Sequence, residues 1–479
     1  MGAERLLTTE EVARRLGVKK ATVYAYVSRG LLGSRRNADG KESLFAEPDV
    51  AAFVARRKRP GTTPDAPAIH TGITLITGDE LYYRGHNART LAGTASFESV
   101  VTLLWTGKLA HVPVQPDPEL RALAEAVTAL LPANARSTDR LRVTVAAIAA
   151  ADRLRFDTTP AAVIARGRAI LGTMVAALPI RAHSAHGPTL ADVSHGPALA
   201  DVLWCRLTDR APTPAGLAAL NAALVLLADH DLAASTYAAR VAASTRAHPY
   251  AVIQAGLAAL DGPLHGAASD IVFGLLTEVT RSRDAVGTIA DRLRADGWVA
   301  GFGHPLYPTG DPRASALLSM LTDPPAAPLD MQLDPPAVPF GMQLDPPAAS
   351  LDIQLVPPAV PFGMQLDPPA ASLDVQLVPP AGLLGRQPES PGAPGERAIR
   401  AAMAEMTAAM NRHSGAAPNI DFALAALTLL NGMGADAGET IFAVARTAGW
   451  IAHALEEYAD EPSRFRPSGR YSGQSPGAA

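Results

Sequence analysis

A proline-rich repeat of eleven residues constrains this 479-residue chain more than any other feature. From Gln332 the sequence runs QLDPPAVPFGM, QLDPPAASLDI, QLVPPAVPFGM, QLDPPAASLDV and QLVPP, so that two variants alternate. An eleven-residue period can indicate a right-handed coiled coil. Here every unit contains a proline pair, and proline lacks the backbone N–H and clashes with the preceding helical turn. We therefore predict an extended, polyproline-like or disordered insertion over residues 323–395.

This insertion is expected to be an expanded tandem duplication that loops out into solvent. Its Met, Phe and Leu side chains leave a partner-binding surface as the alternative. The remaining chain, 65–322 and 396–472, is typical of long helices separated by Gly and Pro. The clearest helical segments are 120–131, 141–156, 161–178 and 215–228, with 314–321 and 396–411 flanking the insertion, while a strand is indicated at 72–77.

Composition adds limits on the class of protein. With 48% hydrophobic residues, the chain can bury a large core and is long enough for more than one domain. Cys205 is the only cysteine, which excludes an intrachain disulfide and a thiolate metal cluster. The start, MGAERLLTTEE, carries charges where a signal peptide needs an apolar run. No stretch is typical of a membrane span, so we expect a cytoplasmic protein without membrane attachment.

Charge separates a basic N-terminal module from an acidic body. Residues 1–60 carry a net charge of +6, and the rest of the chain carries −10. Thr8 and Glu11 have the spacing of a capping box at a helix start. Gly17 ends this helix, and a second helix over 20–28 would place Val23 and Val27 inward. This pattern predicts a helix-turn-helix.

The module resembles the winged helix-turn-helix of the MerR and excisionase families, with a basic turn at 35–41 and a short last helix at 48–57. A recognition helix would enter the major groove of duplex DNA while basic side chains contact phosphates. The alternatives are a basic helical hairpin for protein contacts or a relic of gene fusion. The predicted DNA-facing residues are Lys19, Lys20, Thr22, Tyr26, Arg35 and Arg36.

Three further clusters each contain an ionisable residue that is flanked by glycine or proline. They are GPLHG at 262–266, GFGH at 301–304 followed by DPR at 311–313, and PNID at 418–421. Two histidines on separate loops and a distant carboxylate can remove a proton from a weak carbon acid while a nearby carbonyl is polarised. The clusters therefore indicate carbon–carbon bond chemistry without a metal.

Together these motifs resemble the citrate synthases, in which they occur in the same order. Further similar stretches are DELYYRGH at 79–86, FESVVTLLWTGKL at 97–109, ADHDLAASTYAARVAAST at 228–245 and AVARTAGWIAH at 443–453. The resemblance implies an all-α fold with a large and a small helical domain, and an obligate homodimer. It also implies oxaloacetate and an acyl-coenzyme A thioester as substrates, with no permanently bound cofactor.

The resemblance assigns a role to each candidate residue. Asp421 matches the catalytic base, and His265 matches the hydrogen-bond donor that stabilises the enol. His304 matches the residue that polarises the ketone of oxaloacetate. Arginine suits a carboxylate because its planar fork can bind both oxygens. The residues that match oxaloacetate-binding positions are His230, Arg313, Arg446 and, from the neighbouring subunit, Arg466.

Three departures from the family pattern concern substrate binding. Ala267 replaces the second glycine of the GG pair in GPLHGGA, His86 stands where the family often has Tyr, and HPLYP at 304–308 replaces the usual HRVYK. Proline cannot pair with a phosphate, so the sequence does not predict how this loop contacts coenzyme A. All of the acid–base residues of the family pattern are present.

Two classes of function follow. The first is an active enzyme that forms citrate from acetyl-CoA or 2-methylcitrate from propionyl-CoA and carries a DNA-binding-like module. The second is a transcription regulator whose citrate synthase-like body senses a metabolite. Because a pure sensor has no need of Asp421, the complete catalytic set favours the enzyme. Another condensation or cleavage of an acyl thioester is the third possibility.

Overall fold

The computed structural model describes residues 6–16, 20, 23, 26–27, 32–36, 43–47, 49–50, 69–181, 198–322, 395–462 and 464–465. The predicted insertion lies outside the described residues, apart from its last residue, Gly395. The described residues form two compact units, one before Thr71 and one from Thr71 to Phe465.

The N-terminal unit combines a short helix with a three-stranded antiparallel sheet. Its elements are β1 (Leu6–Thr8), α1 (Thr9–Leu16), β2 (Arg35–Arg36) and β3 (Ser43–Ala46), with the strands in the order β1-β3-β2. The capping box is confirmed, because Thr8 N–H donates to Glu11 at 2.8 Å and Glu11 N–H donates back to Thr8 Oγ1 at 3.3 Å. A small core contains Leu7, Val12, Val23, Phe45 and Val50.

The second unit is almost entirely helical, as the sequence predicted. Its described helices are α2 (Ala88–Thr94), α3 (Phe97–Thr106), α4 (Pro118–Thr128), α5 (Ser137–Ala151), α6 (Pro160–Ala176), α7 (Leu199–Leu207), α8 (Pro214–Leu227), α9 (Ala234–Ser244), α10 (Pro249–Leu260), α11 (Ala268–Ser282), α12 (Ala285–Asp296), α13 (Pro312–Thr322), α14 (Glu396–Ser414), α15 (Ile420–Leu430) and α16 (Ala437–Ala459). Proline at the first or second position begins α4, α6, α8 and α10, where its fixed φ fits and its missing N–H costs no bond.

A small antiparallel sheet precedes the helices. Strands β4 (Thr74–Thr77), β5 (Glu80–Tyr83) and β6 (His86–Asn87) pair in that order. The predicted strand at 72–77 is therefore present, but the other two strands of the sheet were not predicted. They are short and bounded by turn residues, and a two-residue strand leaves no periodic signal in the sequence.

Helix α16 forms the centre of the hydrophobic core. Nearly every residue from Ala437 to Ala454 is buried, including Trp450. Two glycines permit its close packing. A Cβ at Gly256 of α10 would lie 2.5 Å from the Trp450 ring, and a Cβ at Gly449 would lie 2.3 Å from an Asp229 carboxylate oxygen. Because of Gly449, the segment that precedes His230 can lie directly against α16.

Candidate active site

The loop that carries His304 and the segment that leads into the Asp421 helix are held side by side by backbone hydrogen bonds. Gly303 N–H donates to the Ala417 carbonyl at 2.8 Å, and Asn419 N–H donates to the Gly301 carbonyl at 2.9 Å. Gly301 and Gly303 have φ values of +88° and +78°, a region that favours glycine. The Gly-Phe-Gly-His pattern thus gives the tight backbone that brings His304 towards the start of α15.

Asp421 lies in the first turn of α15. Asn419 caps this helix, since its side chain accepts hydrogen bonds from the N–H groups of Asp421 and Phe422. The Asp421 carboxyl is therefore not needed as a cap. Burial raises its pKa to about 7, although the positive charge of Arg313 acts in the opposite direction. A carboxyl with this pKa can accept a proton near neutral pH.

Arg313 is fixed by Asp311, and both residues are buried. The guanidinium donates from Nε and Nη2 to the two Asp311 oxygens at 3.0 and 2.8 Å. Burial alone would lower the pKa of Arg313, but the charge and hydrogen bonds of Asp311 outweigh it and raise the pKa. Asp311 also accepts the N–H of Ile420 at 3.1 Å. One carboxylate therefore connects Arg313 to the first turn of the helix that carries Asp421.

Arg446 lies in the middle of α16 with 0% of its surface exposed. Its Nε donates to the Leu227 carbonyl at 2.8 Å, and its guanidinium lies 4.7 Å from the centre of the Phe442 ring. Neither Nη1 nor Nη2 has a hydrogen-bond partner among the described residues. Burial lowers the pKa of Arg446 to about 10, so the group is still charged at neutral pH. A buried guanidinium with two free nitrogens is expected to bind an anion.

His265 follows a tight turn in which its N–H donates to the Gly262 carbonyl at 2.9 Å. Its Nε2 lies 2.7 Å from the Ser235 hydroxyl, and its ring contacts Phe442 edge to face. Burial, with the charges of Arg446 and Arg313, lowers the pKa of His265 to about 4. The imidazole is therefore neutral at pH 7, as a hydrogen-bond donor to an enolate oxygen should be.

His304 is neutral as well, and its tautomer follows from its contacts. Burial and the charge of Arg313 lower its pKa to about 4. The backbone N–H of Leu306 donates to its Nδ1 at 3.2 Å, so this nitrogen is the acceptor. The proton of the neutral ring is therefore on Nε2, where it can be donated to a carbonyl or alkoxide.

His230 completes the group. Its ring lies 5.3 Å from that of His304, centre to centre, and its Nε2 lies 2.9 Å from the Tyr307 hydroxyl. Its pKa is far below the ordinary value because of burial and the nearby charges of Arg313 and Arg446. Two cations and three neutral imidazoles thus lie within electrostatic range of one another, a combination that suits a small dianion.

A buried polar network supports the segment before His230. Asp229 accepts a hydrogen bond from Thr74 at 2.5 Å and lies 3.3 Å from Nε2 of His453. Arg240, which can only donate, contacts Nδ1 of His453 at 3.0 Å and also pairs with Glu457. The His453 N–H is therefore on Nε2 and faces Asp229. This network joins β4, α9 and α16 behind the site.

Six of the predicted residues lie in one electrostatic environment: His230, His265, His304, Arg313, Asp421 and Arg446. Arg466, Lys19 and Thr22 lie outside the described residues. In the N-terminal unit, Lys20 pairs with Glu10 at 3.0 Å and Tyr26 is partly buried against the small core, while the backbones of Arg35 and Arg36 form β2.

Sequence reasoning did not identify Ser235, Tyr307, Asp311 or Asp229. Ser235 and Asp229 lie within a segment that resembles the family, and Asp311 belongs to the DPR motif, so motif position was an available signal. Tyr307 stands at the Tyr of the HRVYK pattern, so it had the same signal, but its contact with His230, 77 positions away, has no signal in the sequence.

Within the residues that the structure describes, no three His, Cys, Asp or Glu side chains form a group that could hold a metal ion. No helix in the same part of the chain has the length and apolar character that crossing a membrane requires.

Comparisons with known proteins identify the family of this chain. A family model described as the C-terminal domain of citrate synthase matches residues 63–332 and 392–468, and a helix-turn-helix domain model matches residues 6–58. Citrate synthase from Mycolicibacterium smegmatis is 30% identical over 278 residues, which cover 53% of this chain and 73% of that protein. 2-Methylcitrate synthase 2 from Corynebacterium glutamicum is 26% identical and covers 85% and 93%, respectively.

Solved structures show the same fold. Citrate synthase from Thermoplasma acidophilum, in a ternary complex with carboxymethyl coenzyme A and oxaloacetate, superposes with a TM-score of 0.60 at 21% identity. The superposition covers 86% of this chain and 95% of that one. Since the family model matches well over half of the sequence, the chain belongs to the citrate synthase family and is a citrate synthase-like enzyme.

Proposed function

We propose that this enzyme condenses an acyl-coenzyme A thioester with oxaloacetate, giving citrate from acetyl-CoA or 2-methylcitrate from propionyl-CoA. The observation that carries the proposal is the fully buried guanidinium of Arg446 with two unpartnered nitrogens. Leaving such a group without an anion is costly, so a carboxylate ligand is expected to bind there. Arg313, His230 and His304 give the same space further positive charge and hydrogen-bond donors.

In the first step, the Asp421 carboxylate takes a proton from the carbon next to the thioester carbonyl. His265 donates a hydrogen bond from its neutral ring to the carbonyl oxygen as negative charge develops there. Both groups are partly buried, which strengthens this interaction because the local dielectric constant is lower than that of water.

In the second step, the nucleophilic carbon forms a bond to the ketone carbon of oxaloacetate. His304 polarises the ketone through its Nε2–H and gives that proton to the oxygen as the bond forms. Arg313 and Arg446 hold the two carboxylates, which orients the ketone. Water then cleaves the C–S bond: its oxygen enters the new carboxylate, one of its protons goes to the thiolate and the other restores His304. Asp421 releases its proton to solvent, and the products are the tricarboxylate and the coenzyme A thiol.

The choice between acetyl-CoA and propionyl-CoA depends on the volume beside the reacting carbon. One methylene is worth only about 1–3 kcal/mol in an apolar pocket. Relatives of both kinds, citrate synthase and 2-methylcitrate synthase, match this chain. The assay therefore measures release of coenzyme A with oxaloacetate and each thioester in turn.

Four variants test the residue roles. Asp421→Ala and His265→Ala should each lower kcat by orders of magnitude and leave the fold intact, because they act on the transition state. Arg446→Ala and Arg313→Ala should instead abolish binding of oxaloacetate. Arg292→Ala, which removes an exposed ion pair with Glu278, is the control and should change neither kcat nor the binding of oxaloacetate. Equal, mild effects from all four variants would contradict the assignment.

We further propose that the protein acts as a homodimer in which Arg466 of one subunit completes the oxaloacetate site of the other. Mixing an Arg466→Ala protein with an inactive Asp421→Ala protein should then restore part of the activity, because one of the two sites in a mixed dimer is complete. No recovery of activity in a mixture shown to exchange subunits would contradict this arrangement.

A second candidate function is transcription regulation. The match of residues 6–58 to a helix-turn-helix domain favours a role in binding duplex DNA. In that case the citrate synthase-like body would sense a metabolite, and DNA binding rather than coenzyme A release would be the output.

A further inference from the structure

Tyr307 is the residue of the His304 loop that points into the protein. Of the four residues Pro305–Pro308, Tyr307 is 1% exposed while the other three are exposed. Its ring lies 4.9 Å from the His304 ring, and the Arg313 guanidinium lies 5.7 Å from its centre. Its hydroxyl lies 2.9 Å from His230 Nε2. One side chain therefore contacts three of the groups that surround the candidate oxaloacetate site.

The contact with His230 limits what that imidazole can do. His230 lies close to two guanidinium groups and two other imidazoles, so a proton on both of its nitrogens is disfavoured. A neutral imidazole has one donor and one acceptor nitrogen, and the partner at one nitrogen sets the role of the other. Tyr307 keeps its proton, because burial raises its pKa to about 12.

We propose that Tyr307 is a positioning residue for oxaloacetate, which holds His230 in one tautomer and one ring orientation while its ring supports His304 and Arg313. This inference rests on the proposed function, since it concerns the same substrate. Without the hydroxyl, the buried Nε2 of His230 loses its partner and the ring can rotate or change tautomer. Oxaloacetate should then bind more weakly, while proton transfer at the thioester should be little affected.

The variant Tyr307→Phe tests this proposal because it keeps the ring and removes the hydroxyl. Loss of one buried hydrogen bond predicts a rise in KM for oxaloacetate of about 5- to 20-fold. The KM for the acyl-CoA should not change, and kcat should fall by less than about threefold. An unchanged KM for oxaloacetate would overturn the proposal.

A matched control separates positioning from stability. Tyr250 is also buried, and its hydroxyl donates to Asp152 at 2.9 Å, in a part of the second unit that contains none of the candidate site residues. Tyr250→Phe loses a comparable hydrogen bond and should lower the melting temperature without raising the KM for oxaloacetate. If both variants raise that KM equally, Tyr307 has only a structural role and the proposal fails.

Two measurements on the folded protein need no acyl-CoA. Oxaloacetate should raise the melting temperature of the wild type more than that of Tyr307→Phe. If oxaloacetate does not stabilise the wild type, the proposed function fails; if it stabilises both proteins equally, only the role of Tyr307 fails. In addition, if the Tyr307 hydroxyl donates its proton to Nε2, the ¹⁵N signals of His230, assigned with His230→Gln, should show the tautomer with its proton on Nδ1 in the wild type, and tautomer averaging there would overturn the proposal.

Discussion

At the scale of single residues, the protonation states of the site follow from burial and contacts together. His304 has a lowered pKa, and its Nδ1 accepts a backbone N–H. These two facts place its proton on Nε2, which is the form needed to polarise a ketone and then protonate it. The pKa of Asp421 is shifted in the opposite direction, because burial raises it to about 7. The carboxyl is therefore partly ionised at neutral pH and can act as a base.

The raised pKa of Asp421 predicts how activity depends on pH. The base must be ionised, so kcat/KM for the acyl-CoA should rise with pH and reach a plateau above about pH 7 to 8. At one unit below the apparent pKa, the rate should be about tenfold lower than the plateau. The pKa values of His265 and His304, about 4, lie below this range and should not contribute.

Kinetics at constant ionic strength between pH 5.5 and 9 measure this profile. Asp421→Asn should lose the pH-dependent rise together with the activity, while circular dichroism shows that it is folded. A flat profile between pH 6 and 8 in the wild type would mean that another group, or an ionised Asp421 of ordinary pKa, is the base.

At the scale of secondary-structure elements, the start of α16 carries the buried carboxyl of Glu439, which belongs to a second group of interacting charges. Arg136 donates to Asp139 and Asp261 and lies 3.5 Å from Glu439, which is fully buried. Asp270, at the start of α11, has an oxygen without a partner among the described residues, and so has Glu439. Burial raises the pKa of Glu439 to about 7 and that of Asp270 to about 6. The carboxyls outnumber the cation that they share, so protonation relieves the repulsion.

This arrangement predicts that Glu439 contributes to the pH dependence of stability. Because its pKa in the folded state lies above the ordinary value of 4.5, the folded protein binds the proton more tightly than the unfolded chain does. The contribution is fully present below pH 4.5 and is lost as the pH rises through about 7. Each unit of pKa difference corresponds to about 1.4 kcal/mol.

Glu439→Gln should therefore weaken the fall in melting temperature between pH 5 and pH 8. Glu278→Gln, which breaks an exposed pair with Arg292, is the control and should follow the wild type. Identical pH dependence in the wild type and Glu439→Gln, measured by thermal unfolding, would show that Glu439 is ionised in the fold throughout.

The sequence predicted the bounds of the helices better than it predicted which side chains of different helices are in contact. The four clearest helices were predicted to within about five residues at each end, because long Ala/Leu/Val segments bounded by Gly and Pro have an unambiguous pattern. His265, His304, Arg313 and Asp421 were proposed from the sequence because each lies close to Gly or Pro in a motif that resembles the family. The contacts His230–Tyr307 and Asp229–His453 were not predicted, because they join residues 77 and 224 positions apart and depend on how the helices pack.

At the scale of the whole molecule, the sequence that matches the citrate synthase family is divided into two segments by the proline-rich repeat. The helices on either side, α13 and α14, are close in space, because Arg400 donates a hydrogen bond to the Leu321 carbonyl. The chain thus leaves and re-enters the second unit at neighbouring positions, which is the geometry that tolerates a long insertion.

Replacing residues 323–395 by a Gly/Ser link of about eight residues should leave folding and activity nearly unchanged. Long surface insertions cost little, since each doubling of loop length adds only about 0.6 kcal/mol. Solubility, melting temperature and coenzyme A release should match those of the full chain. Insoluble protein after this deletion would show that the repeat packs against the body.

The N-terminal module should be separable from catalysis. A protein that begins at Pro64 lacks the unit with the small core of Leu7, Val12 and Phe45 but keeps every element from β4 onward. It should retain the condensation activity, with kcat and KM within about twofold of the full chain, since the candidate catalytic residues all belong to the second unit. A loss of activity without unfolding would mean that the module contributes to the site.

The full-length protein, by contrast, should bind duplex DNA with strong salt dependence, because each phosphate contact releases counterions. The net charge of +6 in residues 1–60, on a body of −10, supports this expectation. Arg35→Ala and Lys20→Ala are the first variants to test. Lys20 also pairs with Glu10, so Glu10→Gln is the matched control, which frees the lysine and should not weaken binding. If the full chain binds DNA no better than the protein that begins at Pro64, even at low salt, the module is a relic or a protein-binding element, and the regulator hypothesis fails.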